Sequence, residues 1–272
     1  MKLTARSIAM AWLSALVLVV GILIAIGAFG QRRVDARFTG VDTVFLGTSL
    51  FRHALPDLGQ ITPLPQVDAE KSLRIGLNNG SERQILDMAT AAVASGVGKV
   101  FIEINPLVSR FATDRAGCGV RNSIQHRLGN LKIFTDAILL GRDIYWPGAE
   151  PANKDKTRSI NPETTAKYYP LKFVGPCHVG AWQRLFTTSK GTRFVLVMMP
   201  RDGVAKQLIG ADDMATFERR ARAFSAQFDI PLFVPESAGD WGEELFLDQA
   251  HLSGRGADRF GKELAAWWRV QK

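Results

Sequence analysis

Hydrophobic and polar positions divide the chain into one long apolar run and several short ones. Residues 7–30 (SIAMAWLSALVLVVGILIAIGAFG) contain no charged side chain. Short, mostly apolar runs then recur, each followed by turn-forming or polar residues, over 41–46, 73–77, 99–104, 194–199 and 231–234. Short runs that are continuous rather than alternating predict strands buried on both faces, as in a parallel sheet.

Helical patterns follow three of these runs. A helix is predicted from Ser81, with Glu82 in its first turn, and a charged amphipathic helix over 212–228. Another is predicted over 257–270, with its apolar side chains on one face. Strands that alternate with helices predict an α/β fold whose parallel sheet is covered on both faces, preceded here by one N-terminal transmembrane helix.

The stretch between the third and fourth strands lacks clear periodicity. It covers about residues 107–190 and is rich in Gly, Asn, Lys and aromatic residues, notably over 142–170. Loops of this length are usually functional or mobile. We therefore expect an irregular insertion that acts as a lid or binds substrate.

The long apolar run indicates a membrane segment. It has 24 residues, whereas about 20 suffice to cross the hydrocarbon core of a bilayer and signal peptides have shorter runs of roughly 7–15. Residues 28–30 offer a cleavage site, but the length favours an uncleaved signal anchor. We assign residues 1–30 to this anchor and 31–272 to a separate domain.

The compartment follows from the anchor rather than from charge. Basic residues flank the apolar run on both sides, so the positive-inside rule does not fix orientation: Lys2 and Arg6 before it, Arg32, Arg33 and Arg37 after it. A single N-terminal anchor with a long domain behind it favours export of that domain. We expect a single-pass protein of the inner membrane with its domain in the periplasm.

Composition narrows the class of protein. The hydrophobic fraction of 46% and the charged fraction of 22% are ordinary globular values and exclude a disordered chain. Without Lys2 and Arg6, 32 basic and 26 acidic residues remain, and no Lys/Arg block favours nucleic-acid binding. Cys118 and Cys177 fit either one disulfide in an oxidising compartment or two buried thiols, and their spacing fits no zinc site.

Polar residues follow the predicted strands, where parallel sheets bind ligands. Ser49 follows the first strand, Asn79 and Gly80 the second and Asn105 the third, and residues 248–253 (DQAHLS) precede the final helix. A serine attacks a carbonyl when a base takes its proton, a carboxylate orients that base and preorganised donors hold the oxyanion. This set of residues is complete for acyl transfer.

Each of these residues also has a structural interpretation. Ser49 could cap a helix, Asp248 a turn, Gly80 could serve only a turn and His251 could be a structural histidine. The other histidines have no acid at a comparable offset, and only His178, beside Cys177, is a candidate metal contact. Their joint occurrence in order favours acyl transfer, without a metal or cofactor.

Two blocks resemble the SGNH (GDSL-type) hydrolase superfamily: residues 45–50 (FLGTSL) and 248–257 (DQAHLSGRGA). In that superfamily the serine lies in the first block and an Asp-x-x-His pair in the last. The anchor and the His-Leu-Ser-x-x-Gly continuation are similar to membrane-anchored SGNH-like proteins that O-acetylate exopolysaccharides such as alginate or cellulose, and to the teichoic-acid D-alanyl transfer protein. The resemblance spans roughly residues 41–270 and implies a three-layer α/β/α (flavodoxin-like) domain.

The resemblance also implies residue roles. Ser49 is the nucleophile, His251 the base and Asp248 its orienting acid, while the N–H groups of Ser49 and Gly80 form the oxyanion hole. Two blocks depart from the family pattern: Gly-Thr-Ser replaces Gly-Asp-Ser, and residues 103–106 (EINP) stand where Gly-x-Asn-Asp is usual. Asn105 is a candidate third donor and Asn79 its alternative. Losing a donor costs roughly two to three orders of magnitude in rate, which suits an enzyme with an activated acyl donor.

The expected function is therefore an exported acyltransferase or esterase. It would move or remove an acyl group, most simply acetyl, on a cell-surface polysaccharide or other acylated glycan, beside a multi-spanning membrane O-acyltransferase. The alternative is a catalytically silent SGNH-fold subunit that binds glycan or scaffolds such a complex. In the insertion, aromatic residues could stack on sugars and basic residues could attract an acidic glycan, or both could simply pack under the loop: Tyr145, Trp146, Tyr168, Tyr169, Lys154, Lys156 and Arg158.

Overall fold

A computed structural model describes most of the chain outside the insertion. The described residues are 5–55, 64, 67–77, 80–110, 118, 131, 135, 158–161, 163, 165–166, 169, 171–173, 175–235 and 241–271. The chain forms two compact units, one containing residues 5–37 and the other containing the sheet. Cys118 and Cys177 are both disulfide-bonded, so neither is a free thiol.

Helix α1, Ala5–Arg37, carries the long apolar run. Within Ile8–Arg37, its most apolar 18-residue window has a mean hydropathy of 2.7, and none of that window is buried within the protein. At about 1.5 Å per residue, its 33 residues exceed the roughly 30 Å of a bilayer core. This helix is long and apolar enough to span a membrane.

The second unit is built on a five-stranded, all-parallel sheet of order β2-β1-β3-β4-β5. The strands are β1 Thr43–Thr48, β2 Ser72–Leu77, β3 Lys99–Glu103, β4 Arg193–Val197 and β5 Leu232–Phe233. Each predicted strand is present, with ends displaced by at most two residues. The prediction of an α/β fold with a parallel sheet is confirmed.

Helices follow the strands. They are α2 Ser49–Ala54, α3 Glu82–Ala94, α4 Asn105–Val108, α5 Val179–Thr188, α6 Gly203–Ile209, α7 Ala211–Phe228 and α8 Gly254–Arg269. The predicted helices α3, α7 and α8 are confirmed. The other four have ten residues or fewer, too short to show a helical period, and α5 lies inside the stretch expected to be irregular.

Both faces of the sheet are buried. Phe45, Phe101 and Val195 lie side by side on β1, β3 and β4. They share a cluster with Phe51 of α2 and Phe260 of α8. The residues adjacent to them along each strand point to the opposite face and are also buried: Val44, Leu46, Val100, Ile102 and Leu196. The continuous apolar strands of the sequence are explained by this two-sided burial.

Candidate active site

Ser49 lies where β1 passes into α2. Thr48 is extended and caps α2, its hydroxyl accepting the N–H of Leu50 at 3.2 Å. A Cβ at Gly47 would lie 2.6 Å both from Oε2 of Glu103 and from Cβ of Phe51, so no larger residue fits without displacement. The Gly-Thr-Ser sequence therefore makes a tight turn that presents Ser49 at the carboxyl end of the sheet.

The loop before α8 is closed on itself. Phe246 forms an isolated antiparallel bridge with Leu252, and the N–H of Leu247 donates to the carbonyl of His251 at 2.7 Å. Inside it, Oδ1 of Asp248 accepts the N–H groups of Ala250 and His251, each at 2.8 Å. Because one carboxylate oxygen is fixed by these amides, the other is aimed at the His251 ring.

Asp248, His251 and Ser49 form one hydrogen-bonded chain. Oδ2 of Asp248 lies 2.8 Å from Nδ1 of His251, and Nε2 of His251 lies 2.9 Å from Oγ of Ser49. With the Nδ1 proton directed at the carboxylate, Nε2 is left to accept the serine proton. All three residues are half-buried, so small molecules can approach them.

The carboxylate of Asp248 stays ionised. Burial by itself would raise its pKa, but hydrogen bonds and charge from the His251 ring, with the N–H groups of His251 and Ala250, outweigh burial and hold the pKa below its ordinary value. An ionised Asp248 can stabilise an imidazolium when His251 takes a proton.

The expected oxyanion donors are placed unequally. Ser49 is the first residue of α2, where a backbone N–H has no acceptor within the helix. The N–H of Gly80 instead donates to the Leu77 carbonyl at 3.1 Å, so in this structure it is not free to bind an oxyanion. Asn105, at the start of α4, is buried, and within the described part of the chain its amide N and O have no hydrogen-bond partner. Asn79 lies outside the described residues.

Glu103, which was not among the residues predicted for the site, lies beside this turn. This last residue of β3 is fully buried and accepts the Thr48 N–H at 2.6 Å and the Thr48 hydroxyl at 2.9 Å. Burial raises its pKa to about 7, against the opposing effect of the Thr48 hydrogen bonds and the Arg201 charge. The sequence signal for this contact is a glutamate at the end of a mostly apolar strand.

His53 is a second neighbour of the triad that was not predicted from the sequence. Its ring centroid lies 4.6 Å from that of His251, and it stands four residues after Ser49 on α2. That spacing places both on one helical face, which is the signal the sequence offered.

The insertion residues do not form an exposed sugar platform where they are described. Tyr169 is only 5% exposed, and Arg158 is ion-paired with Asp202 at 2.9 Å and Glu243 at 3.5 Å. Tyr145, Trp146, Tyr168, Lys154 and Lys156 lie outside the described residues.

No metal centre emerges from the part of the chain that can be described. It holds no group of three or more His, Cys, Asp and Glu side chains suited to an ion. The ring of His178 instead lies 3.3 Å from a carboxylate oxygen of Glu82, and the neighbouring Cys177 sulfur is in a disulfide.

The local geometry therefore brings a serine, a histidine and an aspartate into one hydrogen-bonded chain at the carboxyl edge of a parallel sheet, an arrangement suited to nucleophilic acyl transfer. No protein-family model matches the chain, and no curated protein matches it either.

Proposed function

We propose that this protein is an exported, serine-dependent acyltransferase or esterase that acts on a cell-surface polysaccharide. The observation that carries the proposal is the continuous hydrogen-bonded chain from Asp248 through His251 to Ser49, at 2.8 and 2.9 Å. Ser49 and His251 lie 202 positions apart in sequence, yet the three side chains meet with the order and spacing that nucleophilic acyl transfer needs.

The reaction proceeds through an acyl-enzyme. His251 takes the Ser49 proton while Oγ attacks the ester carbonyl, and the imidazolium then protonates the leaving alkoxide as the C–O bond breaks. A sugar hydroxyl or water next gives its proton to His251 and attacks the acyl carbon. The bond from that carbon to Oγ then breaks, and His251 returns the proton to Oγ of Ser49. Asp248 stays ionised throughout and stabilises the imidazolium.

The oxyanion is held by the Ser49 N–H together with the Asn105 side-chain amide. Asn105 is favoured because it follows β3, the neighbour of β1, and because its buried amide needs a partner. Gly80 joins them only if its bond to Leu77 opens when substrate binds.

The domain is proposed to be a three-layer SGNH domain. The strand order is that of one common doubly wound fold, whose ligand crevice lies between β1 and β3. Ser49 follows β1 and Asn105 follows β3, so both candidates border that crevice. Burial on both sheet faces supports the layered arrangement.

The protein is proposed to act at the outer surface of the inner membrane. Helix α1 has the length and apolarity of an anchor, and disulfide-bonded cysteines are typical of oxidising compartments such as the periplasm. A shared membrane would give a tethered domain a high effective concentration of acyl donor from a multi-spanning O-acyltransferase.

A fluorophosphonate probe tests the nucleophile. The wild-type protein in detergent should be labelled, Ser49→Ala should not be, and His251→Ala should label at least about a hundredfold more slowly because the serine lacks its base. Ser81→Ala is the matched control, since Ser81 also opens a helix after a strand but has no histidine partner among its hydrogen bonds. A wild-type protein that resists the probe would favour the silent scaffold subunit. A Ser49→Ala variant that is still labelled would show that Ser49 is not the nucleophile and would remove the basis of the proposal.

A further inference from the structure

Glu103 is a buried carboxylate for which the triad chemistry has no use. It ends β3, it is fully buried, and its oxygens accept both hydrogen-bond donors of Thr48, the residue before the nucleophile. Burying a carboxylate is costly unless it is well compensated. A carboxylate in this position therefore needs a reason.

The contacts of Glu103 converge on the first turn of α2. Glu103 accepts the Thr48 N–H at 2.6 Å, and the Phe51 N–H also hydrogen-bonds to it. The Thr48 hydroxyl donates to Glu103 while accepting the N–H of Leu50 at 3.2 Å. Ser49 thus sits within a turn whose neighbouring backbone N–H groups are tied, directly or through one hydroxyl, to a single carboxylate.

The close approach of Glu103 depends on two further residues. Gly47 lacks the Cβ that would collide with Oε2 of Glu103. Arg201, itself 4% exposed and four residues beyond the end of β4, supplies positive charge that favours the ionised carboxylate. The turn is built to admit a carboxylate.

We propose that Glu103 is a positioning residue that fixes the start of α2 and so holds Oγ of Ser49 at hydrogen-bonding distance from Nε2 of His251. The kinetic part of this inference rests on the proposed acyl transfer, and the geometric part does not. Small errors in the placement of a nucleophile are costly in rate, so the effect belongs in kcat rather than in KM.

The first experiment compares Glu103→Gln with wild type and with Glu82→Gln, in the full chain. Glu82 is a matched control: it is 4% exposed and accepts the N–H groups of Cys177 at 2.8 Å and His178 at 3.1 Å, neither of which is a triad residue. Glu103→Gln should lower kcat for an acetyl ester by roughly 10- to 100-fold, with KM within about twofold. Folded Glu82→Gln should keep the wild-type kcat even if it unfolds more easily.

Thr48 variants provide a second test should Glu103→Gln fail to fold. Thr48→Val removes the hydroxyl that links Glu103 to Leu50 and should lower kcat, whereas Thr48→Ser should restore it. A wild-type kcat in Glu103→Gln, or equal losses in Glu103→Gln and Glu82→Gln, would overturn the proposal.

Crystal structures of wild type and Glu103→Gln separate this proposal from the proposed function. A Ser49–His251 distance that lengthens in the variant supports positioning even if the wild type neither binds the probe nor turns over ester. An unchanged distance with unchanged order in the first turn of α2 would contradict positioning even if the wild type is an active enzyme.

Discussion

At the scale of single residues, two carboxylates near Ser49 are held in opposite electrostatic conditions. The pKa of Asp248 is kept low by hydrogen bonds and the His251 ring, which outweigh its burial. The pKa of Glu103 is raised to about 7 because burial outweighs its hydrogen bonds. Asp248 therefore serves as a fixed anion. Ionised Glu103 instead lowers the free energy of unfolding, a cost that is common at functional sites.

This contrast predicts a pH-dependent stability difference between wild type and Glu103→Gln. The folded-state pKa of Glu103 lies above its ordinary value of 4.5, so its stabilisation is fully present below that value and is lost as pH rises to about 7. Glutamine does not titrate. The unfolding free energy of wild type minus that of the variant should therefore fall between about pH 4.5 and pH 7. The fall should be on the order of a few kcal/mol at most.

Chemical denaturation of both proteins in the same detergent, across that pH range, measures the difference. The difference should then stay level above about pH 8, where Glu103 is ionised in both the folded and unfolded states. A difference that is flat throughout, or that grows with pH, would contradict the burial argument for Glu103.

At the scale of elements, α2 is the piece that organises the site. It has six residues, too few to be stable alone, and neighbouring strands supply charges at both of its ends. Glu103 of β3 accepts at its start, and Arg74 of β2 donates to the carbonyl of Leu55 at 2.6 Å and that of Arg52 at 3.3 Å at its end. These signs complement the helix dipole.

Arg74→Met should therefore weaken the domain and the site together. Its loss leaves buried carbonyls at the end of α2 without their donor, at a cost of about 1–3 kcal/mol in unfolding free energy, and slows fluorophosphonate labelling of Ser49. Arg83→Met is the control, since the ion pair of Arg83 within the described part of the chain is a partly exposed i,i+4 pair with Asp87 at 2.9 Å, worth about 1 kcal/mol or less. Equal effects of the two substitutions on unfolding and labelling would refute this account of α2.

The same elements explain what sequence could and could not predict. Strands and the longer helices carry a period, and Ser49 and the Asp248–His251 pair occur in recognisable local patterns. The support of α2 is non-local: Glu103 lies 55 positions from Thr48 and Arg74 lies 19 from Leu55. Gly80 was expected to offer its N–H to an oxyanion, but the turn after β2 directs that N–H to Leu77. Local pattern carries no information about the distant partners of Glu103 and Arg74, and it does not show which acceptor the Gly80 N–H takes.

At the scale of the whole molecule, a membrane-length helix precedes a domain whose candidate site is half-buried. The buried Tyr169 and the ion-paired Arg158 remove part of the expected glycan surface. The proposed glycan acceptor is therefore supported by the membrane-length helix and by the limited oxyanion donors. A hydrolase of soluble esters gains nothing from a tether. A transferase gains a local supply of activated acyl donor.

We therefore predict that the acyl group passes to a sugar hydroxyl in preference to water. The full chain in detergent, given a chromogenic acetyl ester, should release the chromophore slowly in buffer and severalfold faster when the right oligosaccharide is added, because the sugar hydroxyl accepts the acyl group from Ser49. Mass spectrometry should detect the acetylated sugar, and Ser49→Ala should abolish both effects. Fast turnover that no oligosaccharide changes, with free acetate as the sole product, would identify an esterase and exclude the transfer reaction.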